Sequence, residues 1–289
     1  AIDPYAGFCS GVINAIDLVE KELKRTGSIH CLGKIVHNDE EVARLERMGM
    51  KTITYEEFRK LKNTTVLIRA HGEPPETYRI AEENNIRLID GTCPIVSKLQ
   101  NRVRTCYDEI TEENGQIVIF GNEDHPEVAG LAGQIGGKAI IINDAGDLDR
   151  IDLNRPVYLF AQTTKNQKEY QSIQEALKTR MNARNQNAPI HILAHQTICG
   201  QVANRAPKLA KFAQQYDAII FISGKESANG KTLFEVCKKN NPRSFFISKT
   251  EELPIEKIGL FNSVGISGAT STPGWLIEEV AAKINRALL

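Results

Sequence analysis

The sequence has no excess of charge of either sign. Its 36 Lys plus Arg are matched by 36 Asp plus Glu among 289 residues. That balance excludes the basic footprint that holds nucleic acid and the polybasic tail that binds a membrane surface. No apolar run approaches the ~20 residues of a membrane span. Ala1 to Gly11 carries neither a positively charged n-region nor an apolar h-region, so no secretory signal is expected there. Six cysteines are present, but none forms a CxxC pair. This excludes the local ligand clusters of zinc ribbons and bacterial ferredoxins. Unclustered cysteines without a signal also argue against a disulfide framework and for a reducing cytoplasm. No low-complexity segment, long linker or strong internal repeat interrupts the chain.

What is present is a repeated grammar of short Ile/Val-rich runs followed by amphipathic stretches. The runs predict strands at 29–32, 65–68, 87–89, 116–120, 138–142, 157–160, 190–193, 218–222, 244–247 and 263–266. Helices are predicted at 12–24, 40–48, 76–84, 96–112, 127–135, 167–181, 201–215, 231–240 and 273–287. Strand then helix, repeated, argues for an α/β fold with small, mainly parallel sheets covered by helices. The polar stretches 182–188 and 144–154 read as loops. Three α/β domains are expected, at 10–93, 94–190 and 191–276, with residues 1–9 and 277–289 packing back on the third.

Cys9, Cys93 and Cys199 fall one to each third of the chain, each just ahead of a predicted helix. On spacing alone they fit catalytic zinc, an iron–sulfur site with one open position, or three unrelated thiols. Catalytic zinc usually recruits His or carboxylate, whereas an all-thiolate set suits iron–sulfur. Cys31, Cys106 and Cys237 lie inside predicted elements and read as core residues. His30, His191 and His195 belong to no motif and read as structural.

The remaining unusual polar residues also stand between a strand and a helix, where open α/β sheets bind ligands. His37, His71 and His125 each read singly as a capping or loop residue. As a set, with helix N-termini beside them, they suggest an anion site. The segment Ser223 to Lys231, with Ser227 and Asn229, reads as a phosphate cradle or as a helix N-cap, and it lacks the P-loop pattern GxxxxGK[ST]. Gly268 to Pro273, with Ser271, has the same two readings. Glu127 suits a first helical turn electrostatically, or serves as a proton donor beside His125. Thr163 and Thr164 end a strand where hydroxyls can hold a substrate oxygen.

Together these segments resemble the LytB (IspH) family, the 4-hydroxy-3-methylbut-2-enyl diphosphate reductases, most closely the Bacteroidetes type. The resemblance rests on GFCSGV at 7–12, VHN at 36–38, AHGEP at 70–74, TCPIV at 92–96 and HPEV at 125–128. It continues through QTT at 162–164, TIC at 197–199, SGKESANGK at 223–231 and SGATSTP at 267–273. These occur in family order and cover almost the whole chain.

The resemblance implies a pseudo-threefold trefoil of three α/β domains around one central [4Fe–4S] cluster. Cys9, Cys93 and Cys199 would be its ligands, leaving one iron open. It implies reductive removal of the allylic hydroxyl of (E)-4-hydroxy-3-methylbut-2-enyl diphosphate, held on that open iron. The products would be isopentenyl and dimethylallyl diphosphate, in the last step of the methylerythritol phosphate route. His37, His71, His125, Ser227, Asn229 and Ser271 would grip the diphosphate. Thr163 would hold the substrate hydroxyl, and Glu127 would donate the proton. An external donor of ferredoxin or flavodoxin type would supply electrons. Three departures bear on this: Ala228 replaces a common Ser, Glu226 must point away from an anion, and Val202 replaces a Thr found in some relatives. Two other classes compete, a redox-inert phosphate-ester enzyme with buried thiols and an iron–sulfur sensor without turnover.

Overall fold

A computed structural model describes residues 1–184 and 191–288. In chain order its elements begin with α1 (Ser10–Thr26), β1 (Ile29–Leu32), α2 (Asp39–Arg47), β2 (Met50–Ile53), α3 (Tyr55–Lys60), β3 (Thr65–Ile68), α4 (Pro75–Glu83) and β4 (Arg87–Asp90). There follow α5 (Pro94–Glu112), β5 (Gln116–Phe120), α6 (Pro126–Gly133), β6 (Ile140–Ile142), β7 (Val157–Ala161), α7 (Gln167–Arg184) and β8 (Ile192–Ala194). The last are α8 (Gly200–Ala213), β9 (Ala218–Ile222), α9 (Ala228–Asn240), β10 (Ser244–Ile247), α10 (Ile255–Ile258), β11 (Val264–Gly268) and α11 (Gly274–Leu288). The expected α/β class is therefore observed, with three small parallel sheets of three or four strands. Among the described residues no helix is long and apolar enough to cross a membrane.

The chain forms two compact units, residues 1–58 with 204–289, and residues 59–203. In the first, β9 lies between β10 and β11, all parallel. Alternation along β9 sends Ile220 and Ile222 into a core with Ile247, Leu276, Ile277 and Val280. Ile219 and Phe221 enter the opposite core, with Leu209, Leu233 and Cys237. This unit also holds the parallel pair β1–β2. In the second unit the order is β6-β5-β7-β8, again parallel. Ile117 and Ile119 face Leu99, Val103 and Phe160 on one side. Val118 and Phe120 face Leu159, Tyr170 and Leu177 on the other. Both faces are covered, which is why these strands read as continuous apolar runs.

The sequence missed β2, whose short Met-Lys-Thr-Ile stretch carries a charged residue and buries only its two ends. It also missed the short helices α3 and α10, of six and four residues, too short for a periodic signal. Helix α7 continues to Arg184 through residues read as loop. The remainder of that loop, 185–188, and the expected start of a strand at Ile190 lie outside the described residues.

A buried ion pair ties the first unit's N-terminal segment to its sheet. Arg205 contacts Asp3 at 2.8 Å, with side chains 4% and 0% exposed. Ser267 donates to Asp3 at 2.8 Å, and Arg205 donates to Ser267 Oγ and to the Gly268 carbonyl. Ile2 bridges Ile266 in parallel fashion. Removing one partner of a buried pair leaves a charge uncompensated. Asp3→Ala should therefore cost about 3–5 kcal/mol in chemical denaturation; a loss below 1 kcal/mol would show that water reaches Arg205.

Candidate functional site

In each unit the polar residues stand just past the carboxyl ends of parallel strands. Backbone groups there are no longer paired by a ladder, and the following helix N-terminus offers further N–H donors.

In the second unit Glu127 is the most constrained of these residues. It is only 1% exposed. Its carboxylate accepts the Thr163 backbone N–H at 2.6 Å and the Thr163 hydroxyl at 2.7 Å. His125 caps α6, its Nδ1 accepting the Glu127 backbone N–H at 3.2 Å. An accepting Nδ1 carries no proton, so the neutral ring presents Nε2–H as its donor. The His71 ring meets that of His125 edge-on, with centroids 5.2 Å apart. Gly72, next to His71, has φ +69°, and a Cβ there would come within 2.6 Å of Gln100 Nε2. Only glycine makes that left-handed turn against Gln100.

Cys93 and Cys199 belong to the same unit. Cys93 is the N-cap of α5, with Pro94 following it, and its N–H donates to the Ala70 carbonyl. Cys199 immediately precedes α8, and its N–H donates to the Thr163 carbonyl at 2.9 Å. Thr163 therefore meets Glu127 through its N–H and hydroxyl, and Cys199 through its carbonyl.

In the first unit Cys9 caps α1, and its N–H donates to the Thr270 carbonyl at 3.3 Å. Ser227 caps α9, its Oγ accepting the Gly230 N–H at 3.0 Å and lying 3.2 Å from the Ser271 hydroxyl. Asn229 Nδ2 donates to Thr270 Oγ1 at 2.9 Å. His37 is half-buried, and its carbonyl packs so closely on Gly224 that a Cβ there would lie 2.1 Å from it. Glu226 points outward and pairs with Lys34 at 2.8 Å. Ala228 opens α9 on an exposed position.

The six thiols divide into two kinds. Cys9, Cys93 and Cys199 are half-exposed, whereas Cys31, Cys106 and Cys237 are buried. Burial pushes the Cys237 thiol up to about 12 and raises Cys106 as well. Those two stay protonated near neutrality, and a thiol must lose its proton to ligate a metal. Cys31 instead donates to the Gly33 carbonyl. Cys9, Cys93 and Cys199 are thus accessible thiols at helix starts, each the kind of donor a soft metal takes. His195 is buried, stacked on Phe160 at 4.5 Å, with Nε2 3.7 Å from Cys106 Sγ.

Three contributors lay inside quoted motifs without being singled out. The Thr197 hydroxyl takes the Ala161 N–H at 2.8 Å and donates to the Ala161 carbonyl at 2.7 Å, extending the edge of β7. Gln162 accepts the Asn122 N–H and donates to Thr164 Oγ1, which is exposed. Thr270 joins Cys9 to Asn229. Their neighbours in QTT, TIC and GATSTP carried the only available signal.

Similarity to known proteins extends over the whole chain. Residues 2–285 match the family model described as LytB protein. A 4-hydroxy-3-methylbut-2-enyl diphosphate reductase from Bacteroides fragilis is 48% identical over 283 residues, covering 98% of this chain and 96% of its own. The Porphyromonas gingivalis protein of that name is 47% identical over 290 residues, covering 100% and 98%. The solved E-1-hydroxy-2-methyl-but-2-enyl-4-diphosphate reductase from Plasmodium falciparum superposes with a TM-score of 0.82 at 27% identity, covering 98% of this chain and 86% of that one. A second structure, of (E)-4-hydroxy-3-methyl-but-2-enyl diphosphate reductase, gives 0.75 at 33% identity, covering 99% and 98%.

Burial pushes the Glu127 carboxyl up to about 6, against the opposing hydrogen bonds from Thr163. The folded value lies above the ordinary 4.5, so protonation stabilises the fold fully below pH 4.5. That contribution is lost as pH rises through about 6. The difference corresponds to about 2 kcal/mol. Glu127→Gln keeps a neutral group at every pH. Its stability relative to the parent protein should therefore rise by about 2 kcal/mol between acid and neutral pH. A pH-independent difference would mean that the carboxylate is not desolvated.

Proposed function

Since this chain belongs to the LytB protein family, we propose that it is an iron–sulfur reductase acting on (E)-4-hydroxy-3-methylbut-2-enyl diphosphate. It removes the allylic hydroxyl and releases isopentenyl and dimethylallyl diphosphate, the terminal step of the non-mevalonate pathway. The observation that carries the chemical reading is Glu127, buried, raised to about 6 and doubly hydrogen-bonded to Thr163. A carboxylic acid so placed can hold a proton near neutral pH and pass it through a hydroxyl.

Cys9, Cys93 and Cys199 hold one [4Fe–4S] cluster per chain, which leaves one iron open. The fit lies in their chemistry: three accessible thiols, each at a helix start, against three buried ones. When bound, the cluster supplies electrons one at a time and Lewis acidity at the open iron.

The remaining residues position the substrate and move protons. Nε2–H of His125 donates to a diphosphate oxygen, and His37 and His71 add imidazole donors. Ser227, Asn229 and Ser271 provide short polar side chains at a helix N-terminus, where an anion is favoured. Thr163 Oγ1 faces the substrate hydroxyl. Protonated Glu127 donates to that oxygen while Thr163 passes its own proton onward, so the leaving hydroxyl departs as water. Overall, one C–O bond breaks, two electrons enter, one proton goes to oxygen and one to carbon. Protonation at either end of the allyl unit accounts for two products.

We read the chain as the three α/β domains 10–93, 94–190 and 191–276, working in the cytoplasm with a ferredoxin- or flavodoxin-type donor. Ala228 removes a hydroxyl from the cradle, and its backbone N–H at the start of α9 remains as the donor.

Anaerobic purification should give a brown protein with about four irons, bleaching in air; a colourless, metal-free and active protein refutes the cluster. Glu127→Gln should keep the cluster colour and diphosphate affinity while lowering turnover by about 100-fold or more. Turnover near the parent level would remove Glu127 from the proton path.

A further inference from the structure

Glu41 lies outside the residues assigned above, yet it is 1% exposed and fully engaged. It stands in the first turn of α2, four residues after His37. Its backbone N–H donates to Asn38 Oδ1 at 3.1 Å, closing the cap that follows His37. Its carboxylate accepts Arg44 Nε at 3.0 Å and Arg44 Nη2 at 2.7 Å. Its third donor comes from far along the sequence: Trp275 Nε1–H, at 2.6 Å. Trp275 is the second residue of α11, four positions after Ser271. It is the only tryptophan in the chain.

Three turns of the first unit are thereby fastened to one another. The His37 turn meets the 223–229 turn where Gly224 packs on the His37 carbonyl. That second turn meets the third through Ser227 with Ser271 and Asn229 with Thr270. Glu41 with Trp275 closes the set by joining the third turn back to the first. The first two links lie within the turns that would bind the anion. The third is made by other residues, and it is a charge-assisted hydrogen bond onto a buried carboxylate, stronger than a neutral one.

We propose that Glu41 and Trp275 are positioning residues for diphosphate binding, holding the His37 turn and the Ser271 turn at the separation an anion requires. The proposal rests on the reading of these turns as the diphosphate site. Neither residue touches the ligand; each acts through the turn that precedes it. Because the indole is hydrogen-bonded to the device, its emission also reports whether the turns are occupied.

Inorganic diphosphate is the probe, titrated into the full-length protein and followed by calorimetry and by Trp275 fluorescence. The parent protein should bind it with a saturable change in emission. Trp275→Phe removes the N–H but leaves Glu41 paired with Arg44, so no buried charge is stranded. It should bind diphosphate about tenfold more weakly, the scale expected when one link of a coupled network is cut. Circular dichroism and melting should stay near the parent's. Affinity within twofold of the parent overturns the proposal. If Trp275→Phe does not fold, Glu41→Gln is read in the same titration: weakened binding and an altered indole emission support the proposal, and parent-like values overturn it. Failure of the parent protein to bind diphosphate, or undiminished binding by Ser271→Ala, would instead sink the site assignment on which the proposal stands.

Discussion

Strands buried on both faces leave polar side chains nowhere to stand except beyond their ends. That constraint governs this molecule. All five residues of β5, β7 and β9 are buried, and their alternate side chains enter different cores. Parallel pairing then places strand carboxyl ends on one edge and helix N-termini just after them. His125, Thr163, Ser227 and Ser271 all occupy such turns. Their positions follow from how the apolar residues are covered.

Within the turns, backbone hydrogen bonds set the spacing. Cys9 is held by the Thr270 carbonyl, Cys93 by that of Ala70 and Cys199 by that of Thr163. In each case the residue is anchored through its own backbone N–H. Thr163 goes further and uses its N–H, hydroxyl and carbonyl on two different partners. Glu127 occupies the driest place in that network. Its burial opposes ionisation, while Thr163 and the helix start favour it, and burial wins by a modest margin. A carboxyl balanced in that way changes protonation near neutrality, which an exposed one does not.

The first unit shows how the same architecture is stiffened from behind. Asp3, Ser267 and Arg205 fix the end of β11 from inside the core. Glu41, Arg44 and Trp275 tie α2 to α11. Buried charges are costly unless well paired, so both networks spend stability on geometry. They stand beside the turns that carry His37 and Ser271.

The α/β class, most strands, and the candidate residues were legible in the sequence because each rests on local pattern. Apolar runs such as Ala218 to Ile222 announce strands, and Cys, His and Ser at strand–helix junctions announce a ligand edge. The division of six cysteines into three core thiols and three helix-start thiols was also legible, since helical and strand periods place each one. The short edge strand Met50–Ile53 was not, because its pairing with β1 supplies what its own residues lack. Only tertiary structure gave Glu127 its raised carboxyl, since burial raises it against the hydrogen bonds of Thr163, 36 residues away. Only tertiary structure joined Glu41 to Trp275 across 234 residues and Asp3 to Ser267 across 264. A sequence shows which chemical groups a chain carries; desolvation and long-range pairing, which set what those groups do, exist only after folding brings them together.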